Sequence, residues 1–404
     1  MLQVQVCVVG GGPAGMMLGY LLGRAGLETC VLEKHADFLR DFRGDTVHPS
    51  TMQVMHELGL LEQFLQLPHS ELRSFSAEIG HATFKVADFK HVPTTCRFIA
   101  LMPQWDFLNF LAQQGRRFPQ LTVLMQARVT ALSEHAGRIA GVEASTAQGP
   151  LSVRAQLVIA CDGRDSVVRQ AAGLTLRDLG SPIDVLWFRL SRQAGDPEQV
   201  LGHLSRDKML VTIDRTSYWQ CAYVIGKGGM QQVQARGLEA FRRAVADGAS
   251  FLANRVDELQ SFDDVKLLSV TVARLIDWWR PGLLCIGDAA HAMSPIGGVG
   301  INLAIQDAVA TANLLAAKLK AGTFEDRDLA RVQQRRLLPV KLIQRFQVAV
   351  QNRVLRPAVS GTVTELTVPW VIRLLDHSAW LRRWPAQVLG LGVRPEHVHS
   401  PGPP

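Results

Sequence analysis

The chain has 404 residues, of which 47% are hydrophobic and 20% charged; this excludes a disordered chain and leaves room for about two to four domains with cores that need no disulfide or metal staples. The formal charge of +7 is unevenly placed: residues 327–404 hold twelve Lys/Arg against four Asp/Glu, a net +8, which leaves the remaining 326 residues at −1. The body therefore offers no basic surface for nucleic acid.

In chain order, a valine-rich strand over 4–9 runs straight into glycines with no basic segment before it, which is a buried strand and not a signal peptide. After a turn at 10–15, the spacing of Met17, Leu18, Leu21 and Leu22 predicts a helix over 14–24, closed by Gly26. A second strand over 28–33 completes a β-α-β unit. Helix follows over 49–67, broken at Leu58-Gly59-Leu60-Leu61, then short strands over 72–98 and a helix over 104–118. Several strands over 122–159 turn at Gly137 and Gly149 and end in the apolar run 157–160. From 177 to 273 the texture changes. Strands over 184–190, 209–213, 218–225 and 266–273, with one helix over 238–246, predict an inserted, mostly antiparallel layer. The β-α pattern returns with a strand over 282–286 and a helix over 302–319. The last 65 residues read as several short helices, broken at Pro339 and Pro357, with Trp370, Arg373, Trp380, Arg382, Arg383 and Trp384 close together. No run of 18 apolar residues occurs, so no membrane-spanning helix is expected. Cysteines 7, 30, 96, 161, 221 and 285 form no C-x-x-C pair and read as buried free thiols of a reducing, cytoplasmic compartment, with no metal site.

Gly10-Gly11-Gly12-Pro13-Ala14-Gly15 satisfies G-x-G-x-x-G between a strand and a helix, and Glu33 ends the next strand 18 residues beyond Gly15. Gly10 permits the tight turn, Gly12 lets backbone approach a diphosphate, and Gly15 lets helix and strand pack closely. The helix N-terminus offers amides and partial positive charge to phosphates. Glu33 suits a ribose with a free 2′-hydroxyl, which points to NAD or FAD. A glycine-rich turn without a ligand is the bland alternative, and the strand–turn–helix–acid context disfavours it. Two further segments each follow a strand: Cys161-Asp162-Gly163-Arg164-Asp165-Ser166-Val167-Val168-Arg169, and Gly287-Asp288-Ala289-Ala290-His291 continuing through Pro295, Gly298, Gly300 and Asn302.

With these three motifs in this order, the sequence resembles the FAD-dependent aromatic hydroxylases, the p-hydroxybenzoate hydroxylase-like single-component flavoprotein monooxygenases. The resemblance implies an α/β fold: a Rossmann-like, glutathione-reductase-like FAD-binding domain with an inserted, mostly antiparallel β-sheet substrate domain and a helical C-terminal tail. The FAD-binding parts would be 1–72, 99–176 and 276–338, the substrate parts 73–98 and 177–275, and the helical region 339–404. It implies tightly bound, non-covalent FAD, NADH or NADPH as a transient co-substrate with no Rossmann domain of its own, and O2. The activity implied is hydroxylation of an aromatic or similarly electron-rich small molecule through a flavin C4a-hydroperoxide.

For the site, the resemblance puts Gly10, Gly12, Pro13, Ala14 and Gly15 at the diphosphate, Glu33 and Lys34 at the ribose end, and Arg43, Gln104 and Val129 in further cofactor contacts. Asp288 would bind the ribityl chain, while Pro295, Gly298, Gly300, Ile301 and Asn302 border the ring. Asp162 and Arg169 either face the nicotinamide and flavin region or only fix the loop beside it; His291 reads as structural. For catalysis, His48 is a candidate acceptor of a phenolic proton, against a plain surface or loop histidine, and Pro295 is the other candidate at the reaction centre. Trp187, Arg189, Trp219, Cys221 and Tyr223 form a candidate substrate pocket, or else the layer's own core. A halogenase reading lacks its W-x-W-x-I-P segment, since this chain has Trp278-Trp279-Arg280-Pro281. The alternatives kept open are an FAD-dependent reductase or a quinone-precursor hydroxylase at a membrane surface, reached through the basic tail. The resemblance also allows a homodimer.

Overall fold

The opening valines form the strand Leu2–Val9 at the centre of the larger sheet. The computed structural model describes residues 1–39, 46–80, 82–197, 201–205, 208–359 and 368–403. The strands Leu283–Cys285, Gly149–Ala160, Leu2–Val9, Thr29–Leu32 and Leu121–Leu124 lie side by side in that order and all parallel. Their near-continuous apolar runs are what a sheet covered on both faces requires. The helix Pro13–Arg24 packs between the helices Gln104–Gly115 and Gly300–Ala321. The strands Arg128–His135 and Arg138–Thr146 form a meander on the outer half of Gly149–Ala160. Gly300–Ala321 belongs to a helical stretch long and apolar enough to cross a membrane, yet 83% of its most apolar window is buried inside the fold.

The inserted layer is a seven-stranded sheet. Lys266–Leu268, Ile183–Ser191, Tyr218–Gly226, Met209–Asp214, Leu201–Leu204, Ser74–Ile79 and Ala82–Asp88 lie in that order, antiparallel except for the pair Leu201–Leu204 and Ser74–Ile79. One face, with Leu186, Phe188, Trp219, Cys221 and Tyr223, is buried under the helix Leu238–Gly248. The other carries Val185, Trp187, Val211, Ala222 and Val224; Val224 clusters with Ile183 and Leu355, against which Met209 and Ile296 of the glycine-rich loop pack. The single strand expected over 266–273 divides instead: Ala273–Leu275 pairs with Leu176–Asp178 and His291–Ala292 in a separate sheet. Side chains interrupt the ladder there, for Val270 donates to Asp184 Oδ1 at 2.9 Å and accepts from Lys227 Nζ at 2.8 Å.

The break expected at Pro339 does not occur. Pro339 lies inside the helix Asp328–Val350, which a π-turn at Gln351–Leu355 extends to Arg356–Val359. An interior proline costs a helix about 3 kcal/mol, and here burial of Leu329, Val332, Val340 and Ile343 opposes that cost. So does a buried ion network. Arg336 donates to Asp307 at 2.9 Å and to Glu396 at 3.2 Å, and Asp307 also accepts from His291 Nε2 at 2.6 Å. Burial raises the cost of charging Asp307, but His291 and Arg336 outweigh it and hold its carboxyl below the ordinary range. All six cysteines are free and buried, and burial pushes the Cys30 thiol up to about 12.

Arg336→Leu removes the arginine from the fully buried Asp307, which keeps His291 and Gly287 N, while Glu396 keeps Arg335 at 2.7 Å; it is expected to lower the unfolding free energy by about 3–5 kcal/mol, read by denaturant titration, and a loss under about 1 kcal/mol would refute the network's role. A depressed folded pKa contributes stability that is complete above the unfolded value, about 3.9, and is lost as pH falls through the folded value. The gap between native and variant chains therefore narrows below about pH 4.

Candidate functional site

Three turns meet at the C-terminal ends of the parallel strands, where open α/β sheets place ligands. Gly10 has φ +103°, and a Cβ there would lie 2.5 Å from Cys161 O, so the first and second turns touch. A Cβ on Gly287 would lie 3.2 Å from that of Ala14, which brings the third turn against the first. A Cβ on Gly15 would fall 1.9 Å from Gly10 O, so the helix starts tight against the strand end. Gly12 contrasts with these: a Cβ there meets nothing within 4 Å. Gly12 precedes a helix whose first residue is Pro13, preset for that position, and no side chain caps its amides. The result is a cradle of free amides that an added side chain would fill.

Glu33 forms one wall. It is 5% exposed and accepts from Gly11 N at 2.9 Å and His35 N at 3.0 Å. Val129 is buried just beyond residues 126 and 127, whose amides bond His35 O and Glu33 O. Lys34 is exposed, and Gln104 opens its helix half-buried. Arg43 lies outside the described residues.

At the second turn, Asp162 Oδ2 accepts from Val168 N at 3.2 Å, while Oδ1 is buried without a partner. Burial pushes the Asp162 pKa up. Arg169 is buried and donates to Ala289 O at 3.0 Å and Arg164 O at 2.6 Å. Of its two expected roles the geometry carries the structural one, a clamp between second and third turns. Asp288 is half-exposed, 3.8 Å from the Arg164 guanidinium. Gly287 N donates to Asp307, and His291 is buried in the same network, as its structural reading has it.

From Pro295 the chain enters a loop with Gly297 at φ +78° and Gly298 at φ +62°, values that favour glycine. Nothing lies within 4 Å of a Cβ on Gly300, and Ile301 is buried in the first turn of the helix that starts there. The Asn302 carbonyl is already used, accepting from Ser50 at 2.6 Å and Thr51 at 2.9 Å, so that side chain holds the helix Pro49–Glu57. Gly298 O faces Thr46 Oγ1 at 2.9 Å and His48 Nε2 at 3.1 Å.

Two expectations are corrected. His48 is neither a surface residue nor presented to a substrate. It is fully buried, and its Nδ1 lies 2.6 Å from Leu389 O, so both ring nitrogens face backbone carbonyls. Burial pulls its pKa down against those two carbonyls. It is a strut between the loop and the tail helix Arg383–Gly390. Trp219, Cys221 and Tyr223 belong to the core under Leu238–Gly248, on the sheet face turned away from the loop. Trp187 and Arg189 lie on the face toward it; the Trp187 indole N–H is buried without a partner, and Arg189 stacks over Tyr218 at 4.9 Å. Sequence reasoning missed Asp307, Arg336, Thr46 and the contact of the expected helical tail with the glycine-rich loop. Only Asp307 left a signal, an acid inside an otherwise apolar helix.

A sequence profile described as FAD binding domain matches residues 3–346. The chain is 32% identical over 384 residues to 6-methylpretetramide 4-monooxygenase of Streptomyces rimosus, covering 94% of this chain and 92% of that protein. It is 26% identical over 329 residues to para-nitrophenol 4-monooxygenase of Pseudomonas sp. strain WBC-3, covering 78% and 79%. Among solved structures, p-nitrophenol 4-monooxygenase PnpA of Pseudomonas putida DLL-E4 matches with a TM-score of 0.77 at 21% identity, covering 97% and 100%. PqsL, a probable FAD-dependent monooxygenase from Pseudomonas aeruginosa, matches with a TM-score of 0.76 at 21% identity, covering 89% and 99%. Both structural likenesses bear on the fold alone.

The glycines of the first turn should separate by experiment. Gly15→Ala forces a methyl into Gly10 O and is expected to destabilise the ligand-free protein by about 1–3 kcal/mol. Gly12→Ala should cost under about 1 kcal/mol in the same thermal or denaturant unfolding. Equal losses at both positions would contradict the open cradle.

Proposed function

The chain belongs to the FAD-dependent monooxygenases of the aromatic-hydroxylase type, and on that premise we propose that it uses NADH or NADPH and O2 to hydroxylate an electron-rich aromatic molecule. The observation that carries this reading is the convergence of three turns around an open cradle, with Glu33 at one end and the Gly297–Gly300 loop at the other. The donor set fits FAD: free amides and no Cβ where a diphosphate would lie, a carboxylate for a ribose, and an orphaned Asp162 oxygen nearby. When bound, FAD supplies the redox and oxygen-transfer chemistry.

The protein's residues position, neutralise and exclude water. The amides of Gly12, Pro13-Ala14 and Gly15 and the helix they open hold the diphosphate, Pro13 contributing its fixed φ and no N–H. Glu33 takes the ribose hydroxyls, and Lys34, Gln104 and Val129 border the adenosine and ribityl ends. Asp288 orients the ribityl hydroxyls. The Gly300–Ala321 helix turns its N-terminus toward negative charge at the ring, where a helix end contributes about 0.3–2 kcal/mol. Pro295, Gly298, Ile301 and the Asn302 backbone border the ring face. His48 and Thr46 act as positioning residues through Gly298 O.

Substrate would lie between this loop and the apolar sheet face of Val185, Val211, Ala222 and Val224, which shields the ring from water. Trp187 offers a stacking surface and an unpartnered N–H there, and Arg189 lies farther along the same face. The nearly full-length relationship to a 6-methylpretetramide monooxygenase supports an aromatic substrate and makes that compound the first to assay.

Two measurements test the reading. Gly12→Val should remain folded and lose its yellow colour on purification, because the branched side chain occupies the diphosphate position; retained FAD would overturn the cradle assignment. Purified protein given NADH or NADPH with 6-methylpretetramide, para-nitrophenol and simpler phenols should yield a product heavier by one oxygen atom. Turnover of none of the panel, with no aromatic-stimulated NAD(P)H oxidation, would remove the hydroxylase proposal.

A further inference from the structure

Away from the three turns, three arginines converge without an acid. Arg177, on Leu176–Asp178, is the direct cross-strand partner of Arg274, on Ala273–Leu275. Arg345 reaches the same place from the helix Asp328–Val350. Together with Gln344 and the apolar Leu179 and Val348 they line a cavity of about 380 Å³. Like charges directly opposite each other on paired strands are destabilising, and among the described residues no acid pairs with them. Among the described residues no Asp or Glu lines the cavity. Asp178 is engaged elsewhere, accepting from Gly180 N at 2.8 Å. Beyond Asp328 the helix contains no acid as far as Val350.

The arrangement is also oriented. Gln344 is buried, and its Nε2 is fixed by Ala273 O at 2.9 Å and Ala292 O at 3.1 Å. Its Oε1 therefore points at Arg274 Nη1, 3.0 Å away, and holds that guanidinium in place. Burial first, then Arg177 and Arg345, pulls the Arg274 pKa down, as expected where positive charge is gathered without compensation.

We infer that Arg177, Arg274 and Arg345 form a binding site for a phosphoanion, either the diphosphate or phosphate of a dinucleotide or a free polyphosphate. Three planar forks offer more donors and charge than a single carboxylate can use, whereas a diphosphate has oxygens and charge for all three. Gln344, which lines the cavity, also bonds Ala292 O, three residues before Pro295, and so ties the site to the chain entering the glycine-rich loop. The dinucleotide case rests on the nicotinamide reading above. The fold has a single dinucleotide turn, which FAD would occupy, and a second dinucleotide needs an anchor elsewhere.

The FAD-loaded protein is titrated with inorganic pyrophosphate by calorimetry at constant ionic strength. Arg177→Ala and Arg345→Ala, both at exposed positions, should each weaken binding about tenfold. With no anion present, both should melt at or above the native temperature, because repulsion is relieved; a merely structural arginine would lower it. Native protein that does not bind pyrophosphate, or variants that bind it equally well, would overturn the site. Anaerobic flavin reduction then identifies the ligand. A dissociation constant for NADH or NADPH raised about tenfold in both variants, at an unchanged limiting rate, supports the dinucleotide. Unchanged nicotinamide binding alongside lost pyrophosphate binding supports a free polyphosphate. If neither dinucleotide reduces the flavin, the co-substrate reading fails, and the pyrophosphate titration still decides the site.

Discussion

Asp307 is fully buried in a helix that is apolar almost throughout, and a charge in that setting must be paired or it disrupts its surroundings. Its two oxygens are taken by Gly287 N, His291 and Arg336, and Arg336 reaches on to Glu396. Four parts of the chain distant in sequence are thereby fixed together: the third turn, the central helix, the proline-containing helix and the tail. Burial alone would make the carboxyl hard to ionise, and His291 and Arg336 reverse that. The shape of the third turn is therefore set from behind by a charge pair, while its front is left open.

The same division of labour recurs around the site. Gly298 O is held by Thr46 and His48, and His48 in turn holds the end of the tail helix through Leu389 O. Leu389 also packs against the loop, since a Cβ on Gly297 would lie 2.8 Å from its Cδ2. The tail thus braces the loop on which the proposed ring would rest, while Trp370, Trp380 and Trp384 remain exposed on its outer side. The inserted sheet completes the enclosure with an apolar face, its opposite face being sealed by its own helix.

What the sequence made legible was local. Each turn is written in consecutive residues, so the order strand, glycine turn, helix and the acid at Glu33 could be read directly, and the family with them. What it concealed depends on partners far along the chain. Alternation showed that Trp219, Cys221 and Tyr223 share a face but not which face is turned inward; the helix Leu238–Gly248 decides that. Pro339 looked like a break because the local rule is strong, and tertiary burial overrode it. His48 invited a catalytic role because its partner Leu389 lies 341 residues away.

The burial of every cysteine has a consequence for durability. Cys7 and Cys30 face each other on adjacent strands, and burial moves both thiols, with Cys161, Cys221 and Cys285, far from ionisation. Oxidants attack the thiolate, not the thiol. Hydrogen peroxide escaping from an oxygen-consuming centre would therefore meet sulfur in its inert form, and methionines at the surface, such as Met1, would be oxidised before the core.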